Sequence, residues 1–113
     1  MNEFGLLKTF GYTVRLLQDG QQFYENVFKN EKLIIGRDSE CDINIQSPSI
    51  SRKHLQFEIN DDNLYVIDLG SSNGTSVNGV KITGRAQVNS NSTIIAGRIT
   101  IQIILPEANL SGV

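Results

Sequence analysis

The sequence predicts an all-β sandwich, on three observations. Short runs rich in Val, Ile, Leu, Tyr and Phe recur at close spacing, and such residues suit a pleated, half-buried surface. Clusters of Gly, Asn, Asp and Ser separate the runs and supply turn chemistry. Two runs, Leu55-Gln56-Phe57-Glu58-Ile59 and Ile99-Thr100-Ile101-Gln102-Ile103, alternate strictly, so each presents one face to a core and the other to water. Helix has little room.

The elements follow in chain order. Residues 1–10 carry Phe4, Leu6, Leu7 and Phe10 without a clear period and read as an N-terminal arm. A domain then runs over 11–105, beginning with strands at Tyr12 to Gln18, Asn26 to Lys29 and Lys32 to Ile35. The third contains the apolar stretch Leu33-Ile34-Ile35, which stops at Gly36. Asp42 to Ile45 and the alternating His54 to Ile59 come next, and Asn60-Asp61-Asp62-Asn63 turns the chain into Leu64 to Leu69. Gly70 to Gly79 carries no formal charge, and its pairs Asn73-Gly74 and Asn78-Gly79 flank a short strand at Thr75 to Val77. Consecutive tight turns with positive φ account for both glycines and for Asn78. Strands at Lys81 to Ile82, Ala86 to Val88 and Thr93 to Ile95 lead to the last, Ile99 to Leu105. Residues 106–113 are polar and read as a tail leading into a linker.

Composition bounds the function. A chain of 113 residues with 39% hydrophobic content forms one core and buries about two-thirds of the surface its unfolded form exposes. Lys and Arg total 10 against 12 acidic residues, so there is no basic field for duplex DNA and any anion binding is local. Cys41 has no internal disulfide partner, and one cysteine with one histidine cannot build a zinc site; neither metal nor cofactor is expected. MNEFGLLKTF lacks the pattern of a secretory signal, and no segment approaches the ~20 apolar residues of a membrane span. The expectation is a soluble intracellular protein without a membrane partner, in which the acceptor-like Asn73, Asn91 and Asn109 carry no glycan. Cys41, between Glu40 and Asp42, reads as a small, partly buried residue, because acidic neighbours disfavour a thiolate. With no phosphate-loop, nucleophile-elbow or metalloprotease motif, no enzyme is expected.

Chemistry is instead concentrated where strands stop. Gly36-Arg37 presents an arginine at the end of a buried strand, either as an ordinary surface residue or as a planar fork for an anion. Ser51-Arg52-Lys53-His54 is the most basic stretch of the chain, either a solvated turn or a hydroxyl and two cations facing a phosphate. His54 has no second ligand or nucleophile signature and reads as a brace for its loop. The Asn73 amide both donates and accepts, so it can hold an extended peptide by its backbone.

In this order, Gly36-Arg37, Ser51-x-x-His54, Asn73-Gly74 and Asn78-Gly79 resemble the signature of the forkhead-associated (FHA) domain family, over roughly residues 12–105. The resemblance implies an eleven-stranded sandwich of two twisted sheets, FHA/SMAD-like, whose loops at one end bind phosphothreonine peptides. It assigns peptide contact to Arg37, Ser51, Arg52, Ser72 and Asn73, and shaping of the site to Gly36, His54, Gly74, Asn78 and Gly79. The implied partner is a phosphothreonine protein, and the implied task is recruitment in signalling. Pro48 to His54 is also similar to adaptors of the DNA damage response, which implies checkpoint signalling, a nuclear location and a homodimer through the apolar arm. The competing expectation is an FHA-fold interaction or dimerisation domain that works without phosphate.

Overall fold

The structure, a computed structural model, describes residues 5–107; Phe4 and most of the expected tail lie outside them. Within this range a short helix α1 (Gly5–Phe10) precedes eleven strands. They are β1 (Tyr12–Gln18), β2 (Gln21–Phe28), β3 (Lys32–Gly36), β4 (Ile43–Asn44), β5 (Leu55–Asn60), β6 (Asn63–Asp68), β7 (Thr75–Val77), β8 (Val80–Lys81), β9 (Arg85–Val88), β10 (Thr93–Ala96) and β11 (Ile99–Ile104). One sheet has the order β2-β1-β11-β10-β7-β8 and the other β4-β3-β5-β6-β9. The all-β sandwich read from the sequence is the fold observed, and β1 and β7 have the expected bounds.

Alternation produces the core. In β1, Tyr12, Val14 and Leu16 point inward, and Val14 and Leu16 stand opposite Ile103 and Ile101 of β11. In the other sheet Phe57 and Ile59 of β5 face Val66 and Leu64 of β6, all buried. Each such side chain contributes about 1.5–3 kcal/mol relative to remaining exposed, and polar residues between them keep the outer faces wetter.

The largest departure from expectation is β2, which begins at Gln21 rather than Asn26. It is a sheet edge, exposed along nearly its whole length, so its first half, Gln21 to Glu25, carries no apolar rhythm. The sequence signal for it lay in the turn: Asp19 and Gly20 have φ of 53° and 79°, the two positive values that a two-residue hairpin needs.

Part of the expected arm is tied to the domain. Leu7 is 2% exposed within the core, and its N–H donates to Asp62 Oδ1 at 2.9 Å. Asp62 lies in the turn between β5 and β6, whereas β5 starts next to His54. Six residues of strand at 3.2–3.4 Å each, roughly 20 Å, therefore separate α1 from the loops around His54.

A candidate binding edge built from four loops

The sheet order brings together loops that are distant in sequence: 37–42 after β3, 45–54 before β5, 69–74 between β6 and β7, and 97–98 between β10 and β11. The first two are laced by backbone. Arg37 N–H donates to Ser51 C=O at 3.0 Å and Asp38 N–H to Arg52 C=O at 3.1 Å. Gly36 makes this approach possible, because a Cβ there would collide with the Arg52 carbonyl. Arg37 Nε donates to Ile50 C=O at 2.9 Å, and Ile50 is itself pegged into the core at 1% exposure. That contact anchors the root of an exposed guanidinium, leaving its terminal nitrogens as an outward fork.

Ser51 and His54 connect this pair of loops to the third. Ser51 Oγ accepts the Ser72 N–H at 2.9 Å, so its own O–H is left to donate. His54 is fully buried. Its Nδ1 accepts the Ser51 N–H at 3.1 Å, which fixes a neutral ring with the proton on Nε2, and that N–H donates to Gly74 C=O at 2.9 Å. The ring thus clamps the Ser51 backbone to that of Gly74, which lies twenty residues beyond His54. Gly74 has φ of 78°, a left-handed conformation natural to glycine.

Asp68 shapes the 69–74 loop from beneath. Its Oδ2 accepts the N–H groups of Gly70 and Ser71, each at 3.0 Å, and its Oδ1 accepts the hydroxyls of Ser71 at 2.6 Å and Thr75 at 2.7 Å. Burial pushes the carboxyl up, but the hydrogen bonds from Ser71, Thr75 and Gly70 outweigh it and hold Asp68 below its usual range. Ser71 Oγ also takes the Gly74 N–H at 2.8 Å. Ser72 and Asn73 sit exposed at the tip of a loop that is fastened at both ends.

Asn73 leads to the fourth loop. Its Nδ2 donates to Ser49 C=O at 2.8 Å, while Ser49 Oγ accepts the Arg98 N–H at 3.0 Å. Here Ser49, Asn73, Gly74, Thr75, Ser76, Lys81, Ile95, Gly97 and Arg98 surround an open cleft of about 440 Å³.

Of the residues expected at the site, Arg37, Ser51, Ser72, Asn73, Gly36, His54 and Gly74 belong to one hydrogen-bonded assembly. Arg52 joins it by its carbonyl and leaves its side chain in solvent. Asn78 and Gly79 stand outside it: with φ of 52° and 85° they form the β7–β8 turn. Asn78 exchanges hydrogen bonds with the Thr93 backbone of β10 at 2.8 Å. Cys41 Sγ donates to the Arg52 carbonyl at 3.2 Å, and burial first of all pushes the thiol up, which keeps it protonated. Among the described residues no three His, Cys, Asp or Glu side chains group as metal ligands, and no helix is long and apolar enough to cross a membrane.

Sequence reasoning missed Ser49, Asp68, Lys81 and Arg98. Asp68 had a usable signal, since an Asp with Gly70-Ser71-Ser72 starting two residues on favours side-chain capping of the turn that follows.

A two-sheet sandwich with an exposed, cation-bearing loop edge defines a class of small recognition modules. Residues 33–97 match the FHA domain. The chain belongs to that family, whose domains are phosphothreonine-peptide binding modules rather than enzymes. It is 41% identical over 49 residues to the proliferation marker protein Ki-67 of Mus musculus, a match covering 43% of this chain and 2% of that protein. It is 46% identical over 43 residues to the oxoglutarate dehydrogenase inhibitor of Corynebacterium efficiens, covering 38% of this chain and 30% of the inhibitor. The chain therefore corresponds to a minor part of each. Among solved structures, the FHA domain of the CT664 protein from Chlamydia trachomatis superposes with a TM-score of 0.77 at 27% identity, covering 86% of this chain and 99% of that one.

Proposed function

We propose that this chain binds phosphothreonine peptides and recruits their parent proteins in signalling, with Arg37, Ser51, Arg52, Ser72 and Asn73 as the contact set. The observation that carries the reading is the pairing of Arg37 and Ser51. A guanidinium anchored through Nε and a hydroxyl whose acceptor side is occupied both direct free donors from one laced pair of loops. A phosphothreonine brings about −1.5 to −2 charge and strong acceptor oxygens, and charge-assisted bonds to it contribute about 1.5–3 kcal/mol each. Arg52 adds a cation from the same loop, and Asn73 offers Oδ1 and its remaining N–H to the peptide backbone. The finer setting we propose, a nuclear adaptor of the DNA damage response, draws its support from the Pro48 to His54 stretch alone.

The test is a titration with a degenerate phosphothreonine library beside phosphoserine and unmodified versions. Micromolar binding, around −8 kcal/mol, is expected for phosphothreonine and is lost in Arg37→Ala; equal binding of the unmodified library would sink the proposal. A second reading, association without phosphate, is favoured by the exposed edge β2, where Phe23 and Val27 are 51% and 53% exposed, and by Phe10 of the arm at 63%. Dimerisation in sedimentation experiments, unchanged by Arg37→Ala, would support it.

A further inference from the structure

We propose that a second copy of this chain docks along the edge strand β2, antiparallel and two-fold about Val27, with Glu25 of each copy facing Lys29 of the other. The inference deepens the second reading given above, association without phosphate, and rests on it. Four strands end the two sheets. Of these β4 and β8 hold two residues each and β9 four, whereas β2 holds eight. Such an edge is a template for another strand unless lysine, proline or a bulge blunts it. Gln21 to Phe28 contains neither lysine nor proline, and its register shift lies opposite Leu16 and Leu17, between Tyr24 and Gln22. The half from Glu25 to Phe28 is therefore regular and open.

Hydrogen bonding shows which groups of that half face outward. Val27 N–H donates to Oδ1 of its own neighbour Asn26 at 2.9 Å, so it is not spent on β1, and this side-chain bond stands where a partner strand's carbonyl would. Alternation turns the backbone groups of Glu25 the same way. The side chains supply a matching face. Val27 pairs with Thr13 and Thr13 with Ile104, so the three share the outer side of the sheet, where Val27 and Ile104 are exposed. Gly11 lies against Val27, since a Cβ there would fall 2.7 Å from Val27 Cγ1, and this brings the exposed Phe10 to the same corner.

Charge chooses the register. Outward backbone groups pair with outward backbone groups, so the two-fold axis falls at Glu25 or at Val27. About Glu25, two carboxylates stand directly opposite each other, which is destabilising. About Val27, the apolar row runs on across the axis from one copy to the other, and each Glu25 meets a Lys29. Lys29 is exposed, and the ion pairs among the described residues, Lys8 with Glu31 and Arg15 with Glu25, leave it out. Glu25 then lies between Arg15 of its own copy, 2.9 Å away, and Lys29 of the other. This axis keeps the loop edge clear, because Gln21 pairs with Gln18 and Gln18 with Ile99, next to the 97–98 loop, six residues of strand away from Val27. At 3.2–3.4 Å per residue in each copy, the two loop edges stand roughly 40 Å apart along the strands and point in opposite directions. On the phosphothreonine reading, the dimer bridges two phosphorylated molecules rather than gripping adjacent sites on one.

The experiment is sedimentation velocity over a concentration series on the wild-type chain, on Glu25→Lys, on Lys29→Glu and on an equimolar mixture of the two variants, with melting temperatures as the control for folding. The wild type is expected to dimerise. Each variant alone sets like charges opposite one another at both ends of the contact, which weakens the dimer about tenfold. In the mixture every such contact again joins opposite charges, so association returns to about the wild-type level. A dimer that both variants leave intact, or a mixture no tighter than its components, would overturn this register while association through another surface stands. A wild-type chain that stays monomeric at every concentration would overturn both this inference and the reading beneath it.

Discussion

His54→Ala is the perturbation that weighs most heavily on the architecture of the edge. The ring is fully buried and accepts from Ser51 N–H while donating to Gly74 C=O. Truncation leaves one orphan donor and one orphan acceptor in a site without solvent, each costing about 1–3 kcal/mol, and removes the packing of the ring. The expected loss is about 3–5 kcal/mol, a large share of the 5–15 kcal/mol that a typical domain possesses. Urea unfolding monitored by circular dichroism would show it as a midpoint about 2 M lower, for a slope near 2 kcal/mol per molar. His54→Asn, which retains a donor and an acceptor on a shorter stem, should fall between wild type and Ala. A loss below about 1 kcal/mol, with phosphopeptide affinity unchanged, would refute the view that this ring holds the two loops together.

Other perturbations separate chemistry from framework. Arg37→Lys keeps the charge but loses both the fork and the Nε bond to Ile50; calorimetry should show phosphopeptide binding at least tenfold weaker with the thermal midpoint nearly unchanged. Gly36→Ala forces a methyl against the Arg52 backbone, and overpacking of this kind costs about 1–3 kcal/mol, readable as a lower melting temperature. Asp68 has a folded-state pKa below its ordinary value, so its stabilising effect is whole above the unfolded carboxylate range and is lost as pH falls through the folded value. The stability gap between wild type and Asp68→Asn, measured by urea unfolding at a series of pH values, should accordingly narrow on acidification; a gap that widens would contradict the hydrogen-bond pattern.

The strands were legible wherever one face is buried, because alternation then writes burial into the sequence; β5 and β11 are the clearest cases. The first half of β2 was not, since an edge strand exposed along nearly its whole length leaves composition unconstrained, and only Asp19-Gly20 marked it. At the candidate site, Arg37, Ser51, His54 and Asn73 stood out as polar residues next to strand ends. Lys81 and Arg98 did not, because their nearness to Asn73 depends on the β10-β7-β8 order of the sheet, which local patterns do not encode. Asp68 lies at the end of a strand, and only the turn residues Gly70-Ser71-Ser72 beyond it marked its service to the following loop.

The lacing of Ser51, Ser72, Asn73 and Gly74 has a consequence in time. Loops already fastened to one another and to the core need no folding step before a partner docks, so association proceeds at the ordinary 10⁵–10⁷ M⁻¹s⁻¹ of preformed surfaces. At micromolar affinity the complex then lasts roughly 0.1–10 s. On the proposed phosphothreonine reading, each release would return the bound phosphate to solution within those seconds.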